Sequence, residues 1–163
     1  MKSFLPLFLF VCILNAGIAR GQTVSLSLCE GIHFISNALA QNKFELLKGK
    51  TIEKDAASST HASKVQILGV EEEQLEHDFN SVITFTGKFT KVNANRKIVE
   101  EDYKQLLHEL EQCLKLIPTR DDYEGSLMAT FSLKNGVEVI ATAFLSDVKE
   151  KYIELEIARE LED

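Results

Sequence analysis

The feature that most constrains this fold is a pair of alternating segments separated by Asn135-Gly136. Apolar residues occupy every second position before this turn, and the same spacing continues after it. Side chains alternate between the two faces of a strand, so this spacing predicts an antiparallel β-hairpin with one buried face. The apolar residues of the two rows are Leu127, Ala129, Phe131, Leu133, Val137, Val139, Ala141, Ala143 and Leu145.

The turn determines which residues face each other across the hairpin. A two-residue turn at Asn135-Gly136 would pair Leu133 with Glu138 and place the apolar rows on opposite faces. A three-residue loop, with Gly136 in the left-handed conformation, pairs Leu133 with Val137 and keeps both rows on one face. Because a shift of one residue exchanges the two faces, we predict the three-residue loop. Three large apolar residues then point away from the main core: Met128, Ile140 and Phe144.

Two further segments have the apolar spacing of an amphipathic helix. The first begins near Leu28, and residues 44–49 form either its last turn or a separate short turn that stops at Gly49. The second has acidic residues at 100–102 in its first turn and ends before Pro118. The stripe of the first helix is Leu28, Ile32, Ile35 and Leu39; that of the second is Tyr103, Leu106, Leu107, Leu110, Leu114 and Ile117.

Shorter patterns predict the other elements. Residues 64–70 and 83–89 have the composition of strands, and residues 151–159 alternate strongly enough to favour a strand over a helix. Residues 50–63 are small and polar and predict a surface loop, and the acidic residues 71–78 predict a surface turn. The order α-β-β-α-β-β-β, without an internal repeat, predicts an α+β fold. In it, two helices pack on one face of a mainly antiparallel five-stranded sheet.

The first 21 residues form a separate unit with the pattern of a secretory signal peptide. A basic start is followed by an apolar run over 4–14, which is too short to span a bilayer, and then by small residues up to Gly21. We predict cleavage after Gly21, or alternatively after Ala19, and a single domain over 22–163. Cys12 leaves a lipoprotein signal as another interpretation. The mature chain is therefore expected to be soluble, without an integral membrane segment, and secreted or periplasmic.

Composition narrows the class of partner. The chain is 45% hydrophobic, which argues against disorder, and carries 25 acidic against 18 basic residues. Loss of Lys2 and Arg20 with the leading segment changes the net charge from −7 to −9. So acidic a chain repels phosphate backbones and anionic lipids, and we expect no nucleic-acid partner.

The mature segment keeps two cysteines, Cys29 and Cys113, one on each predicted helix. An even pair in an exported chain favours a disulfide, and two buried free thiols are the alternative. A metal or catalytic role is not expected, because there is no Cys-x-x-Cys pair and no histidine at ligand spacing.

No motif of an enzyme class is present, and we predict neither catalysis nor a cofactor. Glu73 and His77 would share a face if their segment were helical, but one pair supplies too few ligands for a metal. The polar run 120–124 is typical of a solvated loop. An enzyme remains a third interpretation, with four candidate residues: His108, Asp121, Asp122 and Tyr123.

The order of the predicted elements resembles the YbjN and type III secretion chaperone-like α+β fold. This order is a leading helix, paired strands, a second helix with a Tyr103-x-x-Leu106-Leu107 stripe and a final three-stranded meander. The resemblance implies a non-enzymatic protein that binds other polypeptides, often as a homodimer. The signal peptide is a departure, because those secretion chaperones work in the cytoplasm.

Our leading hypothesis is therefore an exported, non-catalytic binding or interaction module, chaperone-like or immunity-type, with a protein or peptide partner. Its expected binding surface is the sheet face that carries Met128, Ile140 and Phe144. The alternative is a curved-sheet domain, cystatin-like or NTF2-like, that binds a small ligand or lipid. A closed pocket would favour that alternative, with a lining of Phe85, Phe89, Phe131 and Phe144.

Overall fold

The structure is a computed structural model that describes residues 23–78, 82–89, 95–123, 125–146 and 151–160. Within these residues the chain forms helices α1 (Leu28–Ala40) and α2 (Arg96–Leu114) and a short 3₁₀-helix, Phe44–Leu46. The strands are β1 (Val24–Leu26), β2 (Lys48–Lys54), β3 (Ser58–Ser63), β4 (Val65–Ile67), β5 (Glu71–Asp78), β6 (Val82–Lys88), β7 (Thr119–Tyr123), β8 (Ser126–Ser132), β9 (Val137–Phe144) and β10 (Tyr152–Glu160).

In the described part of the chain, eight strands form one antiparallel sheet in the order β2-β3-β5-β6-β10-β9-β8-β7. The short strands β1 and β4 form a separate parallel pair. The α+β class is confirmed, but the prediction of five strands and of the order α-β-β-α-β-β-β is wrong. The prediction missed β1, β2, β3, β5 and β7 as strands.

The sheet contains a repeat of topology that the sequence did not reveal. Helix α1 is followed by β2, β3, β5 and β6, and helix α2 by β7, β8, β9 and β10. Each set of four is a meander, and the last strands of the two sets, β6 and β10, pair antiparallel at the centre. The strand order therefore has an approximate twofold symmetry, although the expectation from the sequence was no internal repeat.

The predicted hairpin register is confirmed. The Leu133 N–H donates to the Val137 carbonyl oxygen over 2.9 Å, and Gly136 has a φ of 76°. Phe131 lies opposite Val139, so the apolar rows of β8 and β9 share one face. The four apolar residues of β9 on this face are buried: Val137, Val139, Ala141 and Ala143.

Helix α1 begins where the sequence predicts it. The Glu30 carboxylate accepts hydrogen bonds from the backbone N–H and the hydroxyl of Ser27, which closes the first turn. The apolar stripe of α1 is buried except for Leu28, which is partly exposed. The helix ends at Ala40, and Gly49 lies within β2, so Gly49 does not stop the helix.

Helix α2 begins four residues earlier than its acidic first turn suggested, because the Asn95 side chain accepts the Lys97 N–H and caps it. Its four central stripe residues are buried, but Ile117 is 94% exposed, so its assignment to the stripe is wrong. The helix ends at Leu114, and Lys115 has a φ of 53°. This left-handed turn takes the chain off the helix axis before Ile117 is reached.

The prediction of a loop over 50–63 and of a surface turn over 71–78 is wrong, because these residues form β2, β3 and β5. They lack an alternating apolar signal for a physical reason. Strand β2 lies at an exposed sheet edge, and the inward positions of β3 are Ser59 and His61. In β5, Leu75 is the one fully buried side chain.

Both helices pack against β9 and β10. The Tyr103 hydroxyl on α2 donates to the Ala141 carbonyl oxygen over 3.3 Å. The Cα atoms of Cys29 and Cys113 are 5.6 Å apart. Helices on opposite sides of a sheet would be much farther apart, since each packs about 10 Å from it. The two helices therefore cover one face, as predicted, and we call the opposite surface the outer face.

The C-terminal alternating segment is a strand, as predicted, and β10 lies at the centre of the sheet. None of the helices in the described residues combines the length and apolar character needed to cross a bilayer. The predicted signal peptide, residues 1–21, lies outside the described residues.

Candidate functional site

The structure places the three residues of the predicted binding surface together on the outer face. Met128 on β8 lies opposite Thr142, and Ile140 on β9 lies opposite Thr130. Met128, Ile140 and Phe144 are all partly exposed. In the described part of the chain, the helices, β1 and β4 lie on the other side of the sheet, so no described helix or strand covers these residues.

An aromatic corner extends this apolar surface onto β10. The rings of Phe144 and Tyr152 stack, with centroids 4.8 Å apart. The Lys88 ammonium lies 5.1 Å from the centroid of the Tyr152 ring. Lys88 also forms an ion pair of 2.8 Å with Glu72, which raises the pKa of this lysine. The Lys88 ammonium is thus already engaged by Glu72 and the Tyr152 ring.

Acidic side chains lie beside the apolar residues. Glu154 and Glu156 point to the outer face from β10, opposite Thr142 and Ile140 of β9. Burial raises the pKa of both carboxyl groups. The pKa of Glu156 is raised further by the negative charges of Glu154, Glu138 and Glu76. The centre of the outer face therefore carries carboxylates that repel one another next to an apolar surface.

The four phenylalanines of the predicted ligand pocket do not meet in one cavity. Phe85 and Phe131 are fully buried in the core. Phe144 lies on the outer face, and Phe89 lines a small cavity beside α2 with Leu106. The closed aromatic pocket required by the alternative hypothesis is therefore not formed by these residues.

The residues of the enzyme interpretation lie apart. Asp121, Asp122 and Tyr123 belong to the exposed edge strand β7 rather than to a loop. Asp121 and Tyr123 pair with Met128 and Ser126, so they point to the outer face, whereas Asp122 lines a cavity on the helix side. His108 is exposed on α2 and is not among the residues lining that cavity.

A shared metal at Glu73 and His77 would require a helix, but both residues lie on strand β5. Four residues span about 13 Å along a strand, which is too far for one ion to bridge. The Glu73 carboxylate instead accepts the backbone N–H of Ile67, and the His77 ring packs 5.0 Å from that of Phe44.

The predicted disulfide is present between Cys29 on α1 and Cys113 on α2. The imidazole Nε2 of His33 lies 3.7 Å from Cys113 Sγ. The premise that no histidine stands at ligand spacing is therefore wrong, because Cys29 and His33 have the i, i+4 spacing of one helix face. The two sulfur atoms bond to each other, and in this state neither is a thiolate ligand.

Sequence reasoning missed a polar cavity on the helix side of the sheet, at the β2–β3 end. Ser59 and His61 are buried, with 2% and 4% exposure. His61 Nδ1 lies 3.2 Å from the Thr51 hydroxyl oxygen, and its Nε2 lies 3.1 Å from the Ser59 hydroxyl oxygen. The cavity has a volume of about 330 Å³, and its lining is Glu45, Lys48, Gly49, Thr51, Lys54, Ser59 and His61.

The local backbone is adapted to this cavity. The pairing of β2 with β3 has register irregularities on both sides of Thr51, and such bulges re-aim side chains. A Cβ atom added to Gly49 would lie 2.5 Å from the Ala62 carbonyl oxygen, so only glycine permits this approach of the strands. The one available sequence signal was Ser59-x-His61, a spacing that puts both side chains on the same face of a strand.

Positive charge dominates the electrostatics of this cavity. Burial lowers the pKa of His61, and the Lys48 ammonium lowers it further. Burial and then Lys48 also lower the pKa of His77. Lys48 is held at the wall by an ion pair of 3.2 Å with Glu45 and lies 5.8 Å from the Phe44 ring centroid. His61 is therefore a neutral imidazole near pH 7.

Comparisons of the chain with protein-family models, curated proteins and solved structures found no significant match. The resemblance to the YbjN and type III secretion chaperone-like fold stays a prediction. The disulfide between the two helices fits an oxidising, extracytoplasmic compartment.

Proposed function

We propose that this protein is an exported, non-catalytic binding module that receives a basic polypeptide segment on the outer face of its sheet. The observation that carries the proposal is the position of Glu154 and Glu156 beside Met128, Ile140 and Phe144. A segment with both cationic and apolar side chains complements this surface. Its cationic groups neutralise the carboxylates, and its apolar groups cover the exposed apolar side chains of the sheet.

Charge also distinguishes this partner from a second copy of the chain. Two copies meeting through their outer faces would bring the carboxylates of Glu138, Glu154 and Glu156 of both copies into one interface. Burial, and after it the charges of Glu154, Glu138 and Glu76, raises the pKa of Glu156, so these carboxylates already repel one another within one copy. A homodimer through this face is therefore disfavoured, and a basic partner is favoured.

The proposed place of action is outside the cytoplasm, in the periplasm or the extracellular medium. Two features support it: the signal-peptide pattern of residues 1–21, with cleavage after Gly21, and the disulfide between Cys29 and Cys113.

Binding of a basic segment to the outer face should depend on salt, because dissolved ions screen the attraction between partly exposed charges.

The test uses three short synthetic peptides and the oxidised mature protein. One peptide alternates lysine with leucine, a second replaces each lysine with glutamate, and a third replaces each leucine with serine. We expect calorimetry to show the tightest binding for the first, with weakening as salt is added. The double substitution Glu154→Gln/Glu156→Gln should weaken that binding about tenfold.

A matched control removes the same number of charges elsewhere. Glu101 and Glu109 are exposed on α2, on the other side of the sheet. The double substitution Glu101→Gln/Glu109→Gln should leave the affinity unchanged. An equal loss in both double variants, or equal affinity for the acidic peptide, would contradict the proposal. Sedimentation of the protein alone should show a monomer at the same concentration.

A further inference from the structure

The cavity at the β2–β3 end is separate from the proposed peptide surface. Its floor is made by Ser59 and His61, which face the helix side of the sheet, whereas the peptide surface lies on the outer face. The matching inward positions of β8, in the other half of the sheet, are Ala129 and Phe131. Hydrogen-bonding groups thus stand where the second meander has ordinary core residues.

The hydrogen-bonded chain Thr51–His61–Ser59 determines which hydrogen bonds the cavity can donate to a ligand. A neutral imidazole carries one N–H, so the three groups hold three polar hydrogen atoms, and the two contacts of the chain use two of them. If Nδ1 carries the hydrogen, the Thr51 hydroxyl retains one hydrogen to donate. If Nε2 carries it, the Ser59 hydroxyl retains one. In either tautomer a hydroxyl group at the cavity can donate to an acceptor.

The surrounding charges select the kind of acceptor. The cavity is lined by the ammonium groups of Lys48 and Lys54 and by a single carboxylate, Glu45, which pairs with Lys48. The lining therefore has a surplus of positive charge in a chain whose net charge is −7. A hydroxyl donor beside ammonium groups favours an anionic oxygen over a neutral or cationic group.

We propose that this cavity binds a small ligand through a carboxylate or phosphate group. Lys48 and Lys54 supply the charge, and the Thr51–His61–Ser59 chain supplies a directed hydrogen bond. The volume of about 330 Å³ accommodates a ligand of metabolite size. The ammonium of Lys48 is kept near the cavity by Glu45 and the Phe44 ring.

The experiment follows the imidazole signals of the oxidised mature protein by two-dimensional NMR. Sodium phosphate and sodium succinate are the two probes, and sodium chloride at matched ionic strength is the reference. We expect the His61 signals to shift to saturation with at least one probe. The pKa of His61 should rise when the site is filled, because a bound anion offsets the field of Lys48. The titratable and charged groups that face His61 are Glu45, Lys48, Lys54 and His77.

Variants and a folding control distinguish a loss of binding at the cavity from a loss of the fold. Lys48→Gln should weaken probe binding about tenfold by removing a charge-assisted hydrogen bond. Thr51→Val, which keeps the side-chain shape, should weaken it by a smaller factor. Lys134→Gln, in the exposed hairpin loop, should have no effect. An unchanged circular dichroism spectrum shows that each variant is folded, and unchanged signals of His108, which is exposed on α2, show that the probes act locally.

Each outcome decides the proposal. Saturation by phosphate alone assigns the site to phosphate-bearing ligands, saturation by succinate alone assigns it to carboxylates, and saturation by both supports the oxyanion class. Three results would overturn the proposal. Chloride could reproduce the His61 shift, neither probe could reach saturation, or Lys134→Gln could weaken probe binding as much as Lys48→Gln does. None of these results depends on peptide binding at the outer face.

Discussion

At the scale of single residues, Glu73 has a carboxyl group whose environment is unfavourable to its charge. It lies on β5 and accepts the backbone N–H of Ile67. Its Cγ is 3.3 Å from the position a Cβ would have on Gly87, so its side chain packs against the neighbouring strand β6. Burial raises the pKa of Glu73 to about 7, and the hydrogen bond from Ile67 opposes that rise only in part.

This raised pKa predicts the pH dependence of stability. The folded state holds the Glu73 proton more tightly than the unfolded state, in which the pKa of this carboxyl group is near the ordinary value of 4.5. The free energy of unfolding contributed by this group is therefore greatest below pH 4.5 and is lost as the pH rises towards 7. Because Glu73 is partly exposed, we expect Glu73→Gln to stabilise the protein by only about 1–2 kcal/mol at pH 8.

Urea unfolding of the two proteins at several pH values checks this expectation. The gain should vanish as the pH falls well below 4.5, where the carboxyl group is protonated in both states. Glu53→Gln, in an exposed position of β2, serves as the control and should show no such pH dependence. If Glu73→Gln raises the free energy of unfolding by the same amount at both ends of the pH range, the raised pKa of Glu73 is refuted.

At the scale of elements, the two helices are joined to each other as well as to the sheet. The disulfide links the first turn of α1 to the last turn of α2 and closes a separation of 84 residues. In the chain-entropy description, such a link stabilises the fold by restricting the unfolded chain. The two helices also share β9 and β10 as a packing surface, so the link preserves an arrangement that burial already favours.

Removal of this link should cost stability without changing the fold. We expect Cys29→Ala/Cys113→Ala to lower the free energy of unfolding by about 2–5 kcal/mol. The measurement is chemical unfolding followed by circular dichroism. Reduction of the natural protein by a dithiol should cause a similar loss, whereas the double variant should be insensitive to the dithiol. A double variant as stable as the oxidised protein would show that the link contributes nothing.

At the scale of the whole molecule, the C-terminal strand β10 holds the two halves together. It pairs with β6 of the first meander and with β9 of the second. Residues Ile153, Leu155 and Ile157 of this strand are buried beneath the helices. Within the described residues the two meanders therefore share one core. The single domain over 22–163 stays a prediction.

The proposed export also belongs to this scale, because it concerns the chain as a whole. We expect expression of the full-length chain in a bacterium with a general secretory pathway to give a periplasmic product that begins at Gln22. Intact-mass measurement and N-terminal sequencing of the periplasmic fraction identify the cleavage site. A product beginning at Arg20 would indicate cleavage after Ala19. An uncleaved cytoplasmic product would contradict export, and a lipid-modified Cys12 would support the lipoprotein interpretation.

The sequence predicted the candidate surface on the outer face but not the polar cavity. The placement of Met128, Ile140 and Phe144 on the outer face followed from the hairpin register, because the turn and the alternation are local. The cavity around His61 was missed, since its residues are polar and come from a bulged edge strand, its neighbour and a short 3₁₀-helix. Polar residues show no apolar periodicity, so their burial depends on neighbours distant in the sequence.

The sequence by itself determined the two helical stripes, apart from Ile117, and the register of the β8–β9 hairpin. It favoured the strand at the C-terminus and the pairing of Cys29 with Cys113. Each depends on periodic spacing within one segment or on the count of a single residue type. Only the tertiary structure decided that eight strands share one sheet, with β10 between β6 and β9. The reason is that strands such as β2, β3 and β5 are stabilised by hydrogen bonds to neighbouring strands, and those bonds leave no pattern in the side chains.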